Sequence, residues 1–176
     1  RVRVDLVGSS QIRESLSIPS RRGPAAAPDG AGGHLIYGGY DEAGRPSSDL
    51  CRVPASGPAR AVGVTPELPR RAGHALAALP DGSWLIVGGS GGDGLVASDV
   101  LRLWIDAEEA GAATRVASLP SPGALLFPAA TGGPDGVYLF AGLGADGRGY
   151  RQVLRFDPVA GQWTSMLLAR LPTGRS

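Results

Sequence analysis

Two glycine-rich motifs overlap in the middle of the chain, and each implies a chemistry. Gly89-Ser90-Gly91-Gly92-Asp93-Gly94 follows an apolar run and fits G-x-G-x-x-G, with Glu109 about twenty residues later. That arrangement lets backbone amides cradle a dinucleotide pyrophosphate while the acid holds a ribose. Gly88-Gly89-Ser90-Gly91-Gly92 also fits G-x-S-x-G, which exposes a nucleophilic serine on a sharp turn and needs a histidine later in the chain as its base. Both histidines, His34 and His74, precede Ser90, so the hydrolase order fails. Cys51 with either histidine supplies the residue types of a thiol nucleophile, but its surroundings read as a strand in which a small buried hydrophobe is the ordinary occupant. Two histidines without carboxylates at ligand spacing are a weak metal signal, and one cysteine allows neither an internal disulfide nor a multi-cysteine zinc site. No catalytic residue, metal or cofactor is expected.

Charge narrows the partners. Basic and acidic residues number 17 and 16, and all the basic ones are arginine, so no net field draws the chain to nucleic acid or to an anionic membrane. No stretch approaches the roughly 20 apolar residues of a membrane span. The 28 glycines and 15 prolines would suggest disorder if they were not interleaved with apolar runs such as Leu35-Ile36-Tyr37 and Trp84-Leu85-Ile86-Val87. They read instead as punctuation between strands.

That punctuation is periodic. Three apolar runs end in a small-residue pair, His34-Leu35-Ile36-Tyr37-Gly38-Gly39, Trp84-Leu85-Ile86-Val87-Gly88-Gly89 and Val137-Tyr138-Leu139-Phe140-Ala141-Gly142, at steps of 50 and 53. Alternating segments recur at Val2-Arg3-Val4-Asp5, Cys51-Arg52-Val53-Pro54, Leu103-Trp104-Ile105-Asp106 and Leu154-Arg155-Phe156-Asp157, at steps of 49, 52 and 51. A Leu-Pro or Ile-Pro pair follows each, at Pro19, Pro69, Pro120 and Pro172. Between these landmarks lie turn sequences such as Pro80-Asp81-Gly82 and Pro134-Asp135-Gly136, with no helical stripe. The repeat predicts units of four strands, clearest at Ala72 to Leu79, Trp84 to Val87, Asp99 to Ile105 and Thr114 to Leu119.

These residues resemble the kelch repeat. Arg71, His74, Gly88, Gly89, Asp99 and Asp106 match its pattern in the middle unit, and Asp157, Trp163, Leu171 and Pro172 match it at the end. Three departures stand out: Ala25-Ala26-Ala27-Pro28 replaces a regular first strand, Ala141 replaces a glycine, and Trp163 is the one fourth-strand tryptophan. The resemblance implies an all-β fold, a partial β-propeller of four-stranded antiparallel blades with about three and a half repeats. Residues 1–22 would form the C-terminal half of a blade, and 23–71, 72–121 and 122–176 three further blades of one propeller domain. Closed rings have about four to eight blades, so the expectation is a piece of a larger ring, or a ring completed by another subunit.

In such a ring the links after the repeated prolines emerge beside the second-to-third-strand loops, Tyr40 to Ser48, Ser90 to Ala97 and Leu143 to Tyr150. The links carry Arg21, Arg22, Arg70, Arg71 and Arg175, and the loops carry further polar and aromatic groups. Arg22, Tyr40, Asp41, Arg45, Arg71, Asp93, Arg148 and Tyr150 are the candidate binding residues. They suit forked hydrogen bonding to a protein or peptide partner, although each arginine equally suits a loop carbonyl or a neighbouring carboxylate. The resemblance therefore implies a non-catalytic protein- or peptide-binding module. It carries two alternatives, an enzyme like the sugar oxidases and epimerases built on kelch-type propellers, and a secreted bacterial surface propeller. Both cytoplasmic and secreted locations stay open.

Overall fold

A computed structural model describes residues 20–120, 123–140 and 142–170. The half-blade expected over 1–22 lies almost wholly outside them, as do Ala141, Leu171, Pro172 and Arg175. The described residues are all β, with antiparallel sheets and no helix, curled into a half-barrel. None of them forms a helix long and apolar enough to cross a membrane.

The N-terminal sheet runs β1 (Ala25–Pro28), β2 (His34–Tyr37), β3 (Leu50–Val53) and β4 (Arg60–Ala61), in that spatial order. The stretch expected to be degenerate is a regular strand: all four β1 residues pair with β2, and Pro28 takes the last position, where a missing N–H does least harm. The chain then leaves this sheet. Val62 turns into the core and β5 (Gly63–Val64) runs parallel to β9 of the next sheet. The middle sheet, made of β6 (Ala72–Ala78), β7 (Trp84–Ser90), β8 (Asp99–Ile105) and β9 (Ala110–Ser118), thus gains a fifth strand and has the order β5-β9-β8-β7-β6. In the C-terminal unit, β10 (Leu125–Leu126) pairs with β13 (Leu143–Gly144). The four strands β11 (Ala129–Gly133), β12 (Gly136–Phe140), β14 (Gln152–Asp157) and β15 (Gln162–Arg170) form the last sheet.

Alternation along each strand divides the side chains between two cores, because successive residues point to opposite faces. On β7, Trp84 and Ile86 join Leu35, Tyr37, Leu50 and Leu76 against the N-terminal sheet. Leu85 and Val87 join Val100, Val137, Leu139, Leu154 and Phe156 against the C-terminal one. The middle sheet is covered on both faces, and its first strand packs between the first strands of its neighbours, β6 against both β1 and β11. No sheet encloses a core alone.

Register corrects one landmark. Arg52 pairs with Leu35, Arg102 with Leu85 and Arg155 with Tyr138, so the counterpart of Arg52 and Arg155 is Arg102 and not Trp104. The steps become 50 and 53, the same as those of the glycine pairs. Each of these arginines faces an aspartate in the preceding hairpin: Arg52 Nε lies 3.8 Å from Asp29, Arg102 pairs with Asp81, and Arg155 Nη1 donates to Asp135 at 2.8 Å. Trp104 sits half-exposed at the outer end of β8, under the Arg102 guanidinium at 5.0 Å.

Candidate binding face

The glycine pairs are the points where sheets meet. Gly38 and Gly88 have φ of +65° and +68°, and a Cβ on either would overlap a backbone carbonyl that leads into the next sheet, Arg71 O and Leu125 O respectively. The second glycines, Gly39 and Gly89, have φ of +89° and +86° and lie instead against the first-strand backbone of their own unit. Only glycine combines that backbone with that approach. Beyond each pair the chain enters the second-to-third-strand loop, and the three loops close with one turn. Asp41 N donates to Arg45 O at 2.9 Å, Gly91 N to Leu95 O at 3.1 Å and Gly144 N to Arg148 O at 2.9 Å. The G-x-G-x-x-G segment is therefore a hairpin connection from β7 to β8, with Asp93 accepting from Leu95 N at 3.0 Å.

The candidate residues fall into three groups. Arg22 and Tyr40 are joined by two backbone hydrogen bonds of 2.9 Å, and the Tyr40 hydroxyl reaches Ser90 Oγ at 3.4 Å, linking the first and middle loops. Asp41 and Arg45 hold each other, through the Arg45 amide at 2.8 Å and Nε at 3.0 Å, and the amide bond holds the Asp41 carboxyl below its ordinary pKa. Asp93, Arg148 and Tyr150 stay within their own loops, Tyr150 donating to Asp146 at 3.2 Å and Arg148 lying 3.9 Å from it.

Arg71 stands apart. Its side chain is 4 % exposed, donates to Gly88 O at 2.8 Å and pairs with Asp99, so it is spent on holding the fold. Register makes Arg21, not Arg22, its counterpart, because Arg22 pairs with Tyr40 as Ala72 pairs with Ser90. Arg21 makes the matching pair with Asp49. His74 packs edge-on against Tyr37 at 4.7 Å, and burial, with the Arg71 charge, lowers its pKa to about 3. His74 lies between two sheets while Cys51 shares the opposite face of the N-terminal sheet with Ile36, and among the described residues no three metal-ligating groups converge.

Sequence reasoning missed Phe127. It adopts φ of +52° where the corresponding residues of the other units, Gly23 and Gly73, have +60° and +63°. A phenylalanine in the left-handed region is an outlier costing about 1–2 kcal/mol. Its amide donates to Gly73 O at 2.7 Å, its ring lies over Gly73, and it remains 61 % exposed. Tyr40 thus links the first and middle units through Ser90, and Phe127 links the middle and C-terminal units through Gly73.

The architecture so defined is an all-β array of antiparallel sheets. It is similar to the solved structure of YjhT, with a TM-score of 0.67 over 85 % of this chain at 13 % identity, a likeness of fold alone. The chain spans 46 % of that structure. Neither a protein-family model nor a curated protein matches the sequence.

Proposed function

We propose that the chain is part of a kelch-like β-propeller whose second-to-third-strand loop face binds a protein or peptide segment without chemistry of its own. The fold likeness to a chain of about twice the length and the recurring glycine seams support the architecture. In this reading the rest of the ring comes from further chain or another subunit. The observation that carries the binding role is Phe127, an exposed aromatic side chain kept at a backbone cost where both counterparts are glycine. Strain of this kind gathers at functional sites, and exposed aromatics and arginines are common anchors of interfaces. Arg22 and Tyr40, paired with each other and joined through the Tyr40 hydroxyl to Ser90 of the middle loop, supply the polar contacts.

Peptides selected from a random display library against the full chain test this. Binding measured by calorimetry should fall at least about tenfold in Phe127→Gly and in Arg22→Ala. Phe127→Gly should at the same time raise stability by about 1 kcal/mol, since the left-handed penalty disappears. Equal binding by wild type and both variants, or no saturable peptide at all, overturns the proposal.

A further inference from the structure

The interface between sheets is built twice from the same two faces. Residues on the face of the Arg52, Arg102, Arg155 series look toward the following sheet. They are Leu35, Tyr37 and Leu50 on the N-terminal sheet and Leu85, Val87 and Val100 on the middle one. The alternate residues look back. Trp84, Ile86, Leu101 and Leu103 of the middle sheet complete the first core, and Val137, Leu139, Leu154 and Phe156 of the C-terminal sheet complete the second.

One face of each kind is left over. Register assigns Tyr138, Phe140 and Val153 of the C-terminal sheet to the forward-looking set, and His34, Ile36, Cys51 and Val53 of the N-terminal sheet to the backward-looking set. Among the described residues neither set joins a core, and Tyr138, Phe140, Ile36, Cys51 and Val53 are only half-buried. The arginines repeat the relation. Arg52 approaches Glu109 in the β8–β9 hairpin of the following sheet at 4.0 Å, and Arg102 donates to Pro158 O in the β14–β15 hairpin at 3.3 Å. Arg155 occupies the same register position on the last sheet, and the described residues hold no following hairpin for it.

We propose that a second copy of this chain supplies both missing partners at once. Three sheets curl into a half-barrel, and the chain spans 46 % of a structure of like fold, so two half-barrels about a twofold axis complete one ring. Tyr138, Phe140 and Val153 of each copy pack on Ile36, Cys51 and Val53 of the other, and Arg155 meets the β3–β4 hairpin there. A head-to-tail contact made twice in this way closes, so assembly stops at two. The closure rests on the propeller reading of the fold but not on the loop face around Phe127.

The mass of the full chain in solution, from analytical ultracentrifugation, should be that of two copies. Ile36→Asp and Phe140→Asp each place a charge in both contacts and should weaken dimerisation about a hundredfold or more while β circular dichroism persists. Cys51 gives a second readout, because it lies on the N-terminal sheet and Phe140 on the C-terminal one. Its labelling by a thiol reagent should slow as protein concentration rises, and Phe140→Asp should abolish that dependence. A wild-type monomer, open-ended polymers, or a dimer that both substitutions leave intact overturns the proposal. If an aspartate variant loses its fold, Ile36→Ala and Phe140→Ala replace it and should each weaken dimerisation about tenfold; no weakening overturns the idea equally. Peptide binding by the same proteins keeps the two readings apart, since a wild-type monomer that still binds through Phe127 removes the ring of two and leaves the binding face standing.

Discussion

The two junctions between sheets share a backbone and differ in chemistry. Where the N-terminal and middle sheets meet, Gly38 receives Arg71 O, and the surrounding side chains are Tyr37, His74 and the Arg71–Asp99 pair. Where the middle and C-terminal sheets meet, Gly88 receives Leu125 O, and the counterparts of Arg71 and Asp99 are Leu125 and Gln152. Leu125 is buried, 5 % exposed, in an apolar core. The first junction is tied by Gly39 N to Arg71 O at 2.9 Å, the second by Phe127 N to Gly73 O at 2.7 Å. Glycine is thus the constant of the joint, and the polar or apolar filling is a local choice.

Substituting the constant should have the largest effect. Gly88→Ala combines the left-handed penalty of about 1–2 kcal/mol with an overlap costing about 1–3, so a loss of about 3 kcal/mol or more is expected. Gly38→Ala should match it, because its Cβ meets the equivalent carbonyl. Gly94 provides the control: its φ is +76° but nothing lies within 4 Å of its Cβ position, so Gly94→Ala should cost the backbone term alone. Urea unfolding of the three variants separates the terms. Equal losses for Gly88→Ala and Gly94→Ala would mean that the junction is looser than its geometry.

Much of this was readable in the sequence, and the exceptions have physical causes. The glycine pairs, the hairpin turns and the period survive because backbone conformation restricts residue type tightly. The Arg52, Arg102, Arg155 series was misread by two residues, since an even slip in an alternating strand keeps the hydrophobic pattern intact and only pairing partners reveal it. The strand at Ala25–Pro28 looked degenerate because alanine and proline have low strand propensity, which pairing with β2 and contact with β6 override. Of the candidate site, Arg22 and Tyr40 emerged together, whereas Arg71 is buried and Phe127 was overlooked. The glycines at 23 and 73 mark its position, but the step to 127 is 54 residues, one more than the glycine pairs show.

The polar filling offers the next test. Arg71→Ala leaves the Asp99 carboxylate and Gly88 O without their donor, which should cost about 3 kcal/mol, as removal of one partner from a buried pair does. Converting both members to the residues of the other junction, Arg71→Leu with Asp99→Gln, should cost less than about 1 kcal/mol, because a well-packed apolar replacement often equals a buried ion pair. A double-mutant cycle reads the coupling directly. A double variant as unstable as Arg71→Ala would show that the two junctions are not interchangeable.

The smallest effect expected concerns His74, which only the first junction has; the counterparts in the other units are Pro24 and Pro128. Its imidazole is buried, and the Arg71 charge beside it further disfavours a proton, so its pKa falls from 6.5 to about 3. A histidine whose folded pKa is lowered binds its proton more readily in the unfolded chain. Its contribution to stability is intact above pH 6.5 and is lost as pH falls toward 3. Between pH 6.5 and 5.5 the loss should be about 1 kcal/mol. Tyr37, which faces the ring, titrates well above its usual value because it is buried, and the described carboxylates with shifted pKa, Asp41, Asp81, Asp135 and Asp157, all move downward. None of these groups titrates in that window. His74→Phe keeps an aromatic ring against Tyr37 and removes the titration, so comparing the pH slopes of the two proteins cancels any repacking cost. Identical slopes would mean that water reaches the imidazole, and with it the polar junction, in the folded state.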